Sequence, residues 1–269
     1  MTVKNLAACA LALLTVGVSL QAQAHRAWML PSATVLSGDE AWVTVDGAIS
    51  NSVFYFEHHP LRLDQLEVRS PSGKSVEAQN QAQGMYRSVF DVELVEDGTY
   101  TLEIHNNGVF ARYKLDGETK RWRGTFDEID EIPDGVDDLS MSETDRRIQV
   151  FVTKGAPTSG TFKVKGEGLE MQPITHPNDL FAGEAAQFRF LLDGKAAAGL
   201  EVTVIRDGIR YRDQVNEQVL KTNEDGVVEI LWDEPGMYWL EAESELDSKK
   251  LKDASRHVGY SATLEVLPL

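Results

Sequence analysis

The chain has 269 residues, a formal net charge of −17 and one cysteine, Cys9. That charge argues against nucleic acid or anionic lipid as the main partner, since both would be repelled. One cysteine excludes a disulfide framework and a thiolate metal site, and the length suits two domains of about 120 residues each.

Residues 1–24 read as a secretory signal peptide. Lys4 gives a short basic start, Leu6 to Leu20 is an apolar run, and Ala22-Gln23-Ala24 supplies the small-x-small pattern of a cleavage site. Cleavage after Ala24 makes His25 the first residue of the exported chain and removes Cys9. Leu6-Ala7-Ala8-Cys9 resembles a lipoprotein signal only superficially, because Cys9 would sit inside the apolar run rather than after it. No later run is long enough to span a bilayer, so no membrane insertion is expected after cleavage. The expected location is the periplasm.

Strand signals dominate the exported chain. Trp42-Val43-Thr44-Val45, Val53-Phe54-Tyr55-Phe56, Leu66-Glu67-Val68, Tyr86 to Phe90 and Thr99 to Ile104 are short β-rich runs. Turn formers such as Ser37-Gly38-Asp39, Pro71-Ser72-Gly73 and Glu96-Asp97-Gly98 separate them. Phe126 to Asp145 is dense in aspartate and glutamate and reads as an acidic insertion, a solvated loop or short helix. It lacks the Asp-x-Asp-x-Asp-Gly spacing and closing glutamate of a calcium loop. Lys154-Gly155-Ala156-Pro157 reads as a linker. Beyond it, Gln187 to Leu192, Leu200 to Ile205, Gly226 to Leu231, Tyr238 to Ala242 and Ser261 to Val266 continue the pattern, with Asp193-Gly194 and Asp225-Gly226 as turns. The expectation is an all-β protein of two tandem immunoglobulin-like or prealbumin-like β-sandwiches, residues 25–153 with the insertion near 126–145, and residues 154–269.

The chemistry-bearing candidates are histidines. At a free N-terminus, the His25 amine and its ring Nδ1 close a chelate on one metal, and a second imidazole completes a T-shaped brace. Copper suits that nitrogen set best, with nickel or cobalt as the other candidates. The α-amine, with a pKa near 8, gives up its proton readily to a metal. Ala27 rather than histidine stands third in the exported chain, so a folded partner must supply the other ring. His59 and His58 are the first choices and His105 the runner-up. Neighbours on a strand point to opposite faces, so His58 and His59 are not expected on one metal. His176-Pro177-Asn178-Asp179 reads as a turn, and His257 has no companion. Lys120-Arg121-Trp122-Arg123 could hold an anion, but pairing with the acidic segment after it is the more economical role. Trp28, Trp42, Trp232 and Trp239 read as core aromatics. No nucleophile elbow, zinc-protease motif, phosphate loop or dinucleotide fingerprint is present.

Several segments together resemble the domain of unknown function 4198 family of exported proteins. They are His25-Arg26-Ala27-Trp28-Met29-Leu30-Pro31-Ser32, Phe54 to Leu63, Lys120 to Gly124, Phe151 to Thr158, and Thr175 to Leu180. Members are often described as periplasmic components of nickel or cobalt uptake systems. The resemblance implies a two-sandwich fold and an association with a membrane transporter or TonB-dependent receptor. The expected function is therefore a non-catalytic, periplasmic metal-binding accessory protein. The alternative is an interaction module without metal, and a copper-dependent oxidative enzyme stands third.

Overall fold

The computed structural model describes residues 26–269. The chain runs through β1 (Arg26–Pro31), β2 (Val35–Leu36), β3 (Trp42–Ser50), β4 (His59–Pro60), β5 (Leu66–Arg69), β6 (Ser75–Val76), β7 (Gln79–Gln83), β8 (Ser88–Glu93), β9 (Gly98–Leu115) and β10 (Glu118–Gly124). A 3-10 turn at Phe126–Glu131 leads to β11 (Asp137–Lys154) and β12 (Leu169–Pro173). The second half holds β13 (Ala185–Leu192), β14 (Lys195–Ala196), β15 (Glu201–Arg206), β16 (Gln218–Lys221), β17 (Val227–Leu231), β18 (Gly236–Asp247) and β19 (Ser255–Val266). The all-β class and the face-to-face packing of sheets are those the strand pattern predicts. No described helix is long and apolar enough to cross a membrane.

One large sheet runs through both halves of the chain in the order β16-β15-β18-β19-β11-β9-β5-β6. Its joint is the parallel pairing of β11 with β19, from Ser142 opposite Ser255 to Val150 opposite Thr263. Two smaller sheets cover it. The first (β1-β3-β8-β7, with β4 on β3) packs against the Ile148, Val150 and Val152 side of β11, and the second (β12-β13-β14, with β17 on β13) packs against the side that carries Phe151. Cross-strand partners share a side of the sheet and successive residues alternate, so Val150 and Phe151 serve different apolar cores. A strand buried on both faces needs an unbroken apolar run, which Ile148-Gln149-Val150-Phe151-Val152 nearly provides. Trp28, Ala48, Val53, Ile205 and Trp239 form a third cluster between the halves.

Charge is buried along the same joint. On the Phe151 side of β11, Glu143 and Asp145 are 2% exposed and Arg147 is 3% exposed. The Arg256 guanidinium reaches Asp145 at 2.6 Å, Asp193 at 2.9 Å and Glu143 at 3.3 Å. Arg147 meets Glu103 at 2.8 Å, and Lys165 meets the same oxygen at 2.7 Å. Burial alone would push the carboxyls of Glu103 and Asp145 upward. Arg147 and Lys165 at the first, and hydrogen bonds from His105 and Arg256 at the second, hold both below their ordinary values. Glu170 closes the cover by accepting the N–H groups of Lys165 and Gly166, each at 2.7 Å. Gly168, at φ +65°, passes so close that a Cβ there would lie 2.5 Å from Asp145 Oδ1; glycine satisfies both the dihedral and the space.

Three expectations are corrected. The aromatic run Val53 to Phe56 is a turn, with Phe54 at φ +61°. Phe54 and Phe56 fold back on Trp28 at ring distances of 5.4 Å, so tertiary packing overrides their strand propensity. Within the acidic segment, residues 137–145 are the first half of β11 rather than a loop, because Glu143 and Asp145 have buried cationic partners. Trp42, at 40% exposed, is not a core residue, whereas Trp28, Trp232 and Trp239 are fully buried.

Removing one partner of a buried ion network strands the others, at a cost of about 3–5 kcal/mol. Arg256→Ala is expected to lose about that much in urea unfolding near neutral pH. Glu103 and Asp145 have depressed folded pKa values, so their contribution is present above the ordinary carboxylate range and lost as pH falls through the folded values. The stability deficit of Arg256→Ala should therefore shrink in acid, and a deficit independent of pH would contradict the network.

Candidate functional site

Residues 1–25, with the expected leader and His25, lie outside the described residues, so the site is built from the strand that follows them. Arg26 opens β1 opposite Ser50, donates from Nη1 to the Asn51 carbonyl at 3.0 Å and stacks over Trp239. The Ala27 carbonyl accepts from Trp239 Nε1 at 3.2 Å and from Ser261 Oγ at 3.3 Å. The start of β1 is thus pinned against β18 and β19 of the large sheet.

The turn after β3 decides where the next two histidines go. Glu57 accepts the N–H groups of Asn51 and Ser52 at 3.1 and 2.9 Å, and His58 takes φ +80°. The chain is thereby returned to β3 as β4, with His59 opposite Ile49; Ile49 is in turn opposite Ala27 of β1. Ala27, Ile49 and His59 therefore share one side of the small sheet. His58 and His59 are both exposed.

The other histidines are placed elsewhere. His105 Nε2 meets Asp145 Oδ1 at 2.8 Å within the buried ion network, on the side of β9 away from the small sheet. His176 fills the turn role: Nδ1 accepts the Asn178 N–H at 3.0 Å, Nε2 lies 3.0 Å from Thr99 Oγ1, and burial lowers its pKa. His257 contacts Ser255 Oγ at 3.0 Å and lies 3.9 Å from Glu245. Among the described residues, no group of three or more His, Cys, Asp or Glu is placed to hold a metal ion.

Beside Ala27 and Ile49 a cavity of about 170 Å³ opens against the large sheet, with Arg146, Glu241 and Glu243 on its wall. Asn106, Arg123 and Thr144 connect it to a second cavity of about 340 Å³ that reaches Arg62 and Asn107. Burial and the neighbouring Glu243 push the Glu241 carboxyl up to about 8, against the pull of Arg146 and Arg26. Arg146 is committed to Glu243 at 2.7 Å. A carboxyl kept protonated at neutral pH donates a hydrogen bond, or exchanges its proton for a cation. Neither cavity-wall glutamate stands out in the sequence; the signal was the stripe Glu241, Glu243, Glu245, Asp247 at strand period, which marks one face of β18.

The model of the family described as domain of unknown function, DUF4198, matches residues 22–246. The chain belongs to the DUF4198 family. No curated protein matches it. Among solved structures, the D0-D1 domain of Intimin aligns at 11% identity over 89% of this chain and 97% of that one, with a TM-score of 0.23. The ICAM-5 D1-D4 ectodomain fragment aligns at 12% identity over 90% and 51%, also at 0.23. The human OSCAR ligand-binding domain aligns at 14% over 90% and 100%, at 0.20. At such scores the likenesses carry no argument about function. Neither the family description nor these structures names an enzyme.

Glu241 gives this site a pH signature in the DUF4198 chain. Its folded pKa of about 8 lies above the ordinary 4.5. Unfolding therefore releases a proton between those values, and the folded state loses stability as pH rises from about 4.5 to about 8. Glu241→Gln removes that loss. Relative to wild type, its unfolding free energy should rise by roughly 1–3 kcal/mol between pH 5 and pH 9. A constant difference across that range would show that Glu241 titrates normally.

Proposed function

We propose that this DUF4198 protein is a non-catalytic, periplasmic transition-metal-binding accessory protein whose metal is held by His25 together with His59. The observation that supports this reading is the strand register. Ile49 has the strand that follows His25 on one flank and His59 on the other, all on one side of the small sheet. The expected chemistry is an N-terminal amine and imidazole chelate with a third nitrogen from His59. Copper is favoured over nickel and cobalt by the divalent affinity order. Glu241, on the cavity wall beside Ala27, is an oxygen donor that a cation at this end of the sheet would gain only by displacing its proton. The role envisaged is capture or hand-over of the metal beside a membrane transporter or TonB-dependent receptor.

The experiment is a copper titration of protein beginning at His25, checked by intact mass. One extra residue before His25 turns the basic amine into an amide, whose lone pair is delocalised. Affinity should fall at least about tenfold, equivalent to about 1.4 kcal/mol, with unchanged circular dichroism. His59→Ala should weaken binding similarly and His58→Ala much less. Equal affinity in the native and extended chains would end the metal reading.

The second reading, an interaction module without metal, is favoured by a different observation: an exposed basic strand face on the β9–β10 hairpin.

A further inference from the structure

Strand alternation divides the Lys120-Arg121-Trp122-Arg123 run. Lys120 pairs with Glu118 of its own strand, and Trp122, on the same side, donates from Nε1 to Glu131 Oε2 of the acidic segment at 3.1 Å. Arg121 and Arg123 point to the other side. There Arg121 stands directly opposite Arg112, which is opposite Ser140; Arg123 stands opposite Phe110, which is opposite Ser142. Lys114 extends the row and pairs with Asp138 at 2.7 Å. Arg112, Arg121 and Arg123 make no hydrogen bond, ion pair or ring contact among the described residues, and Phe110 between them is 38% exposed.

That arrangement is costly in isolation. Like charges directly opposite on neighbouring strands destabilise the pair by roughly 0.2–1 kcal/mol. The chain has 43 acidic residues, yet among the described residues none forms an ion pair with these three guanidinium groups. Protection of a free sheet edge would explain charge on β10, whose outer edge pairs with no described strand. It does not explain Arg112 or the exposed Phe110, because β9 is an interior strand here, paired with β10 on one side and β11 on the other. A flat array of unpaired guanidinium groups around an aromatic ring is suited to carboxylates, which arginine binds in a bidentate fork.

We infer that this face of the β9–β10 hairpin docks an extended acidic polypeptide segment of a partner protein. The segment adds along the free edge of β10, with carboxylates at alternate positions facing Arg121 and Arg123, and with Arg112 and Phe110 behind them on β9 flooring the same face. The spacing supports an extended partner: Arg121 and Arg123 are two residues apart, about 6.6–6.8 Å along a strand, and the same repeat separates alternate carboxylates in the segment. Strand addition supplies main-chain hydrogen bonds and the arginines supply selectivity. The inference is independent of metal, so a failed copper titration leaves it standing.

The test uses the full exported chain and a fluorescein-labelled peptide, Glu-Val-Glu-Val-Glu-Val-Glu, read by anisotropy at about 50 and about 200 mM salt. Its Gln-for-Glu counterpart, phosphatidylglycerol vesicles and inorganic polyphosphate are the parallel arms. The acidic peptide should bind saturably, weaken at the higher salt, and bind at least about tenfold more tightly than the Gln peptide. The double variant R112E/R121E should lose at least about tenfold in affinity while keeping its thermal midpoint, whereas Lys221→Glu, a distant single reversal, should lose less than about threefold. Equal binding by wild type and R112E/R121E would overturn the inference, as would no saturation below about 1 mM. Binding to vesicles or polyphosphate with none to the peptide would also overturn it.

Discussion

The pairing of β11 with β19 is the constraint on which the rest depends. The two strands are more than 100 residues apart in sequence and run parallel, so no hairpin can hold them. Side chains must fix the joint, and on its Phe151 side those side chains are charged. Arg256 comes from β19, Glu143 and Asp145 from β11, and Asp193 from the turn after β13. An apolar seam would tolerate a slip along the strands. This one does not, since a slip of one residue would turn Arg256 to the face away from Glu143 and Asp145.

The joint also sets where the candidate site can be. Because β11 is covered by different small sheets on its two sides, the start of β1 is brought to β18 and β19 rather than left at one end of the molecule. The Ala27 carbonyl, Trp239 and Ser261 fix that strand, and Glu241 stands directly opposite Ser261, two residues along β18 from Trp239. His59 reaches the same region through local means, the Glu57-capped turn and the aromatic packing of Phe54 and Phe56 on Trp28. A long-range joint and a short turn converge on one end of the small sheet, on either side of Ile49.

Much of this was legible in the sequence where local signals and burial agree. The runs in β3, β9, β13, β15, β17 and β18 were visible because apolar alternation and glycine turns coincide there, as at Asp193-Gly194 with both residues at positive φ. Legibility failed where a partner distant in sequence decides the outcome. Val53 to Phe56 has strand composition, but Trp28 and Glu57 impose a turn. Asp137 to Asp145 has loop composition, but Arg256 and the β9 ladder make it a strand. The alternation Glu143, Asp145, Arg147, Gln149 was present all along as a period of two. Only a partner for each charge distinguishes that from a solvated acidic stretch.

Distance likewise separates two kinds of charge in this chain. A net charge of −17 describes the molecule seen from far away, and screening removes most of that view beyond about 8 Å at physiological ionic strength. At contact distance the pattern is local. Buried glutamates and aspartates have their arginines, and many surface charges have an opposite neighbour two residues or one strand away, as Arg62 has Asp64 and Arg69 has Glu67. Against that background Arg112, Arg121 and Arg123 stand out because they are neighbours on one face, around Phe110, with no opposite charge among them. Folding alone would be served as well by pairing them, since acidic residues are abundant and one exchange on Ser140 or Ser142 would do it. Their persistence as a bare face is a cost the fold carries, and an acidic partner would relieve it.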